Sequence, residues 1–268
     1  MLSSEAYRLL DVGGTFIKRA DGRAFPSASG GSREEIVAAL RAAVGRTERL
    51  RGIGVAIPGP FDFTRGIFLM QHKFAAVYGA SFRELAGLPE DLPLRFDHDV
   101  ATALRGAVTL LQLKRPAALI TLGTGLGFAH ALDGKVQYGP NGSPARALWN
   151  LPWKGGILED VASARGIRAA YTRLGGDAGA SVLDIARKAY SGSDTAYEAF
   201  HETGLALGQA LAPIVEELGI ETLLFAGQIA CSLLLLEDGL RAGLGSGICL
   251  TQAPQDAVFE GLANLFET

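Results

Sequence analysis

Along the chain, short apolar runs alternate with stretches of helical periodicity. Tyr7–Val12 is an apolar run that ends in Asp11 and Val12 and leads into Gly13-Gly14, the pattern of a buried strand entering a tight turn. Phe16–Arg19 is expected to return as its hairpin partner. Arg33–Val44 carries Ile36, Val37, Leu40 and Val44 at helical spacing, with Ser32 placed as an N-cap and Gly45 as the stop, so an amphipathic helix is predicted. Gly52–Ile57 reads as another strand, ended abruptly by Pro58-Gly59-Pro60. Residues 82–88 predict a short helix, 94–96 a strand, and 100–113 a helix that begins just after Asp97-His98-Asp99.

A second cycle follows. Residues 117–121 predict a buried strand running into Gly123-Thr124-Gly125-Leu126-Gly127, and 128–132 its hairpin partner. Helices are expected over 157–171, Val182–Tyr190 and 197–218, a strand over 222–225 and a closing helix over 256–266. The recurrence of strand, glycine turn and strand suggests two related α/β halves with a cleft between them. The boundary is expected near 114–116, giving domains 1–115 and 116–255, with 256–268 able to rejoin the first.

The two longest apolar stretches, 117–132 and 223–236, are interrupted by Thr, Gly, Gln or Ser and are too short to span a bilayer. Both read as buried strands, and no membrane association is expected. The 268 residues carry a net charge of −3, and clustered positive charge is absent, so nucleic-acid binding is not expected. Cys231 and Cys249 lack metal-ligand spacing and read as small buried apolar residues in a reducing cytoplasm. Residues 1–8 carry Glu5 and no basic region followed by an apolar one, so a secretory leader is not expected.

Three constellations carry candidate chemistry. In the first, Gly13 and Gly14 at a hairpin turn offer backbone N–H groups to phosphate oxygens, Thr15 adds a hydroxyl, and Asp11 can hold Mg²⁺ directly or through water. A plain hairpin turn with a capping Asp is the alternative. The second, Gly123-Thr124-Gly125 with Gly127, follows a strand and precedes another, which separates it from the dinucleotide fingerprint. Its alternative is a tight bend in a sheet. The third is Asp97-His98-Asp99, where a carboxylate can take the proton of an attacking hydroxyl, or merely cap a helix. For Asp97 the cap or a surface role is favoured.

Taken in order, these segments resemble the ROK family of sugar kinases. Asp11-Val12-Gly13-Gly14-Thr15 is similar to the family's first phosphate loop, and Gly54-Val55-Ala56-Ile57-Pro58-Gly59-Pro60 to its Pro-Gly-Pro segment. Asp97-His98-Asp99-Val100-Ala101 resembles its Glu-Asn-Asp-Ala-Asn segment, and 121–127 its second phosphate loop. Leu158-Glu159 with Ser163-Ala164-Arg165-Gly166, and Leu224-Phe225-Ala226-Gly227-Gln228, resemble later stretches.

The resemblance implies two ribonuclease-H-like domains of the actin-like ATPase type with an inter-domain cleft, acting as an ATP- and Mg²⁺-dependent kinase of a sugar hydroxyl. It implies Asp99 as base and Asp11 near the metal. Gly13, Gly14, Thr15, Lys18, Gly123, Thr124, Gly125, Gly127, Gly227 and Gln228 fall on the phosphate and nucleotide side. Gly59, His98, Asp99, Arg146 and Glu159 fall on the substrate side.

The sequence also departs from the family. Arg146 and Trp149 stand where the family has a sugar-binding Glu and His, His98 replaces its Asn, and Gln228 its second Gly. The Cys-rich zinc loop is missing, so no zinc is expected. Arg146 could instead pair with an anionic substituent and Trp149 stack on a sugar, or both could be structural. Related enzymes that use polyphosphate also lack the zinc loop, which keeps that donor open. Repressors of the family carry an N-terminal helix-turn-helix for which Asp11 leaves no room, although a catalytically silent sugar or nucleotide sensor remains an alternative. Dimers are common in similar proteins, which leaves a homodimer open.

Overall fold

The computed structural model describes residues 6–139 and 141–267. It divides into two units: the first takes in residues up to Gln112, Val136–Ala145 and the stretch from Pro254, and the second Leu113–Lys135 and Arg146–Ala253.

The first unit runs β1 (Tyr7–Val12), β2 (Phe16–Arg19), β3 (Ala24–Pro26), α1 (Arg33–Val44), β4 (Gly52–Ile57), a small hairpin of β5 (Phe61–Asp62) and β6 (Ile67–Phe68), α2 (Phe82–Ala86), β7 (Leu94–His98) and α3 (Asp99–Leu110). Its sheet is ordered β3-β2-β1-β4-β7, with β1 to β3 antiparallel and β4 and β7 parallel to β1. All six residues of β4 are buried, as a parallel strand covered on both faces requires. One face carries Leu10, Val12, Val55 and Ile57 into a core with Ile36 and Leu40 of α1 and Phe68, Phe74 and Phe82. Each such aromatic is worth roughly 1.5–3 kcal/mol over its exposed state. Helix α1 starts at a capping box in which Glu35 N–H donates to Ser32 Oγ at 3.3 Å and Ser32 N–H to Glu35 Oε2 at 2.7 Å.

The second unit repeats this plan. Strands β8 (Ala117–Leu122), β9 (Leu126–Leu132) and β10 (Lys135–Val136) are followed by a small hairpin of β11 (Pro152–Trp153) and β12 (Gly156–Ile157). Then come α4 (Leu158–Val161), α5 (Ala164–Arg173), α6 (Val182–Tyr190), α7 (Asp194–Leu218), β13 (Thr222–Ala226), α8 (Leu233–Leu244) and β14 (Cys249–Gln252). The sheet order is β10-β9-β8-β13-β14, with β8 and β9 antiparallel and β13 and β14 parallel to β8. Ala118, Ile120 and Leu122 of β8 join Phe200, Leu207 and Leu211 of α7 and Leu236 and Leu240 of α8 in one core.

The last helix, α9 (Ala257–Ala263), belongs to the first unit, where Leu262 and Ala263 bury against Leu9 and Ala56 on the sheet's other face. It packs on α3 so closely that a methyl group at Gly106 would lie 1.8 Å from the Ala257 carbonyl oxygen. Two glycine pairs, Gly204 and Gly208 on α7 with Gly239 and Gly243 on α8, allow the same approach in the second unit. No helix of the described residues is long and apolar enough to cross a membrane.

Four expectations are corrected. The predicted helix over 157–171 is two, because the chain breaks at Ala162 and Ser163. Ser163 Oγ donates to the Glu159 carbonyl at 2.7 Å, and the freed Ala164 N–H donates to the Gly123 carbonyl at 2.9 Å. The apolar stretch 223–236 is a strand only to Ala226, and its Leu-rich end opens α8, since a continuous apolar run carries no period to separate the two. Cys231 and Cys249 are exposed rather than buried. Asp97 is neither a cap nor a surface residue but is 4% exposed, accepting from Arg105 Nη2 at 3.2 Å and from Tyr138 O–H at 2.8 Å. A buried carboxylate needs such partners.

Candidate active site

The first unit gathers its candidate residues at the ends of β1, β4 and β7. In the turn after β1, Gly13 N–H donates to the Phe16 carbonyl at 2.9 Å and closes the hairpin. The Gly14 carbonyl accepts from Ser27 Oγ at 2.7 Å and Ser29 Oγ at 2.5 Å, and Ser27 is fully buried. This loop is therefore pinned by its carbonyl side. Among the described residues the Gly14 and Thr15 N–H groups have no acceptor, which leaves them available to an anion. Asp11 sits opposite Lys18 in the β1–β2 ladder.

At the end of β4, Gly59 lies against the imidazole of His98: a methyl group on it would be 3.6 Å from His98 Cδ2 and Nε2. The β4–β7 register sets Ile57 beside His98, and Phe63 covers the imidazole at 5.8 Å. His98 Nδ1 is 2.9 Å from Asp99 Oδ1. Asp99 opens α3, and its carboxylate accepts the Val100 N–H at 2.7 Å.

The two carboxylates are tuned apart. Burial pushes Asp99 up, but the His98 charge and hydrogen bond, the Val100 N–H and Lys73 together hold it below the ordinary carboxylate value. Burial, reinforced by the Asp99 charge and opposed by Lys18, pushes Asp11 up to about 6. Asp99 is thus a stable anion. Asp11 is a carboxylate whose ionisation a cation would favour. No cluster of three or more His, Cys, Asp or Glu is poised for a metal among the described residues. Mg²⁺ is commonly held by one or two carboxylates together with substrate phosphates, so Asp11 fits that ion as a single ligand or through water.

In the second unit, Leu122 and Leu126 close the β8–β9 ladder, and Gly123 N–H donates to the Gly125 carbonyl at 3.1 Å. Gly127 lies inside the ladder opposite Thr121 rather than in the turn, apart from Gly123, Thr124 and Gly125. Glu159 is brought onto this turn. Its Oε2 accepts the Leu126 N–H at 3.0 Å, and a methyl group on Gly125 would lie 2.8 Å from the same oxygen. Arg165 holds the carboxylate from behind at 3.2 Å.

Gly227, at φ +92°, approaches the end of β8 so closely that a methyl group would be 2.3 Å from the Leu122 carbonyl oxygen, and Gln228 follows it, exposed. Arg146 pairs with a residue other than Glu159. Its guanidinium grips Glu217 of α7 through two hydrogen bonds, at 3.0 and 2.7 Å. Trp149 is 47% exposed, and its carbonyl accepts the Glu159 N–H at 3.1 Å.

Sequence reading missed Lys73, Ser27, Ser29 and the clamping role of Arg165. Lys73 lies in irregular chain between β6 and α2, where no periodicity says which way a side chain turns. Arg165, by contrast, stands six residues after Glu159, and the helix break that joins them left no trace in the apolar pattern.

No family model matches the chain, and no curated protein matches it. Solved structures do. A ROK-family protein from Streptococcus pneumoniae, in complex with sucrose, is 18% identical with a TM-score of 0.78, covering 97% of this chain and 98% of that one. A ROK-family glucokinase from Streptomyces griseus, in complex with glucose and AMPPNP, is 21% identical with a TM-score of 0.75, covering 96% and 97%. An inorganic polyphosphate/ATP glucomannokinase from Arthrobacter is 20% identical with a TM-score of 0.65, covering 97% and 98%. The likeness spans nearly all of each chain, and the fold is the mixed α/β, actin-like one that these proteins share.

Proposed function

We propose that this chain is a ROK-type kinase that transfers the terminal phosphoryl group of ATP, as its Mg²⁺ complex, to a sugar hydroxyl. The observation that carries the reading lies within the first unit: a glycine turn with free amides, an anionic Asp99 and a cation-seeking Asp11 form one electrostatic set. The fold shared with sugar kinases supports it.

In this reading the Gly14 and Thr15 N–H groups and the Thr15 hydroxyl bind donor phosphate oxygens. Asp99 accepts the proton of the acceptor hydroxyl. A carboxylate held below its ordinary value is a weak base, which suits a loose transition state in which the proton leaves late. His98, covered by Phe63 and close to Gly59, orients the Asp99 carboxylate and faces the substrate. Asp11 would hold Mg²⁺, which when bound neutralises charge on the donor phosphates. In the second unit, Glu159 presents a carboxylate suited to a sugar hydroxyl, while Gly123, Thr124, Gly125, Gly227 and Gln228 take the nucleotide side.

Arg146 is spoken for by Glu217, so a binding role for it requires that pair to open, and the reading gives it none. A neutral sugar is therefore the first acceptor to test. Inorganic polyphosphate is the second donor to be tested, on the strength of the fold shared with the glucomannokinase. Comparing turnover with ATP and with polyphosphate over a panel of hexoses separates the two. Asp99→Asn is expected to lower kcat by about 10²–10⁴-fold while MgAMP-PNP affinity holds. A variant that phosphorylates sugar at the wild-type rate would sink the assignment, and a wild type that binds sugar and nucleotide without turnover would mark a sensor instead.

A further inference from the structure

In the first unit the side chain of Lys73 stands over the glycine turn. A methyl group at Gly14 would meet its side chain at 3.1 Å from Cε and 3.3 Å from Nζ. The lysine is held there by its neighbour. Phe74 is fully buried in the aromatic core, adopts a left-handed φ of +54° and donates its N–H to the Ser29 carbonyl at 2.6 Å. Ser29 Oγ in turn donates to the Gly14 carbonyl. A left-handed backbone at a bulky residue is costly and needs the surroundings to enforce it; here it fixes Lys73 relative to the loop. The side chain is only partly exposed, and among the described residues it has no hydrogen bond and no ion pair. It is nevertheless close enough to Asp99 to act on that carboxylate's charge.

From this placement we infer that Lys73 contacts the phosphoryl group in transfer, its ammonium lying between the amides of the first turn and the carboxylate that receives the acceptor's proton. The inference rests on the phosphotransfer reading. An unpaired, half-buried ammonium is poised for an anion, and its place between donor-side amides and acceptor-side carboxylate selects the group that moves between them. The ion pair that Lys73 lacks among the described residues would form with the oxygens of the transferred phosphoryl group.

An acyl phosphate of ATP tests this directly. Such a reagent carries its carbonyl just beyond the terminal phosphate. A lysine amine that attacks it forms an amide and releases ATP, leaving the acyl group for peptide mass mapping. With the full chain, Lys73 is expected to be acylated and to be protected by excess MgATP. Protected acylation of Lys18 or another lysine, with Lys73 untouched, overturns the role of Lys73 and leaves the nucleotide reading standing. No protected acylation anywhere overturns both. In parallel, Lys73→Gln is expected to weaken MgAMP-PNP binding by roughly 10–100-fold, the worth of one hydrogen bond to a charged group, while Lys73→Arg stays within about threefold and melts at the wild-type temperature. Equal affinity of the Gln variant and the wild type overturns the proposal.

Discussion

At Gly13-Gly14-Thr15 the turn between β1 and β2 lies beneath a lysine; at Gly123-Thr124-Gly125 the turn between β8 and β9 lies beneath a carboxylate. The backbones follow one plan, a strand that ends, a glycine bend, and an antiparallel return. The residue at the foot of each bend differs as well, Asp11 in the first and Thr121 in the second. Glycine turns of this kind supply amides and little else. What a turn can bind is set by the side chains brought over it from elsewhere in the unit: Lys73 makes the first turn receptive to an anion. Glu159, clamped by Arg165, leaves the second with a shared Leu126 N–H and an acceptor suited to a hydroxyl.

The sharpest way to break this contrast is to give both turns the same charge. Lys73→Glu puts a carboxylate over the first turn and next to Asp99, and kcat/KM is expected to fall by roughly 10³-fold, the scale of losing and then opposing one transition-state contact. Sugar phosphorylation followed by coupled assay measures it. A loss below about tenfold would mean that the phosphates never visit this turn.

Much of this architecture could be read from the chain itself, and the residues show where that stops. Tyr7–Val12, Gly52–Ile57 and the Ser32-capped helix declare themselves because their signals are local: an apolar run, a proline stop, a capping box. The glycine turns are legible for the same reason. The charges over them are not. Lys73, 59 residues further along the chain, reaches Gly14 through a left-handed Phe74 that no pattern announces. Arg146, plausible from sequence as a ligand of an anionic substituent, turns instead to Glu217, which lies 71 residues further on. Asp97 looks like a helix cap or a surface residue until Arg105 and Tyr138 are folded onto it.

Glu159→Gln is the next largest test, because it keeps the shape over the second turn and removes the charge. The sugar KM is expected to rise by roughly 10–100-fold, with nucleotide affinity unchanged. If MgAMP-PNP instead bound about tenfold tighter and the sugar KM held, the carboxylate would be guarding the turn against phosphate, and the two turns would be alike beneath their covers.

The carboxylate at the foot of the first turn gives a smaller, pH-dependent effect. Asp11 titrates near 6 in the fold against an ordinary 3.8, so the folded protein binds that proton more tightly than the unfolded chain. Its stabilising share is complete below about pH 3.8 and is lost as pH rises through 6. Without Mg²⁺, Asp11→Asn should therefore be more stable than wild type at pH 7.5 by about 1–3 kcal/mol and gain less at pH 4.5. Denaturant unfolding at the two pH values reads this, and an equal difference at both would remove the special environment of Asp11.

The smallest test compares glycines within the second turn. Neither Gly123 nor Gly125 has the left-handed φ that would exclude alanine, and a methyl group on Gly123 meets nothing within 4 Å. Gly123→Ala should then stabilise by about 0.4–1 kcal/mol through the lost freedom of the unfolded chain. Gly125→Ala gains the same entropy but drives its methyl to 2.8 Å from Glu159 Oε2. The carboxylate must retreat, and the Leu126 N–H loses its acceptor, a net cost of about 0.5–1.5 kcal/mol that cancels or reverses the gain. Thermal melts of the two variants should move in opposite directions or differ by a few degrees. Identical melts would show that Glu159 does not grip this turn, and the contrast between the two bends would lose its second half.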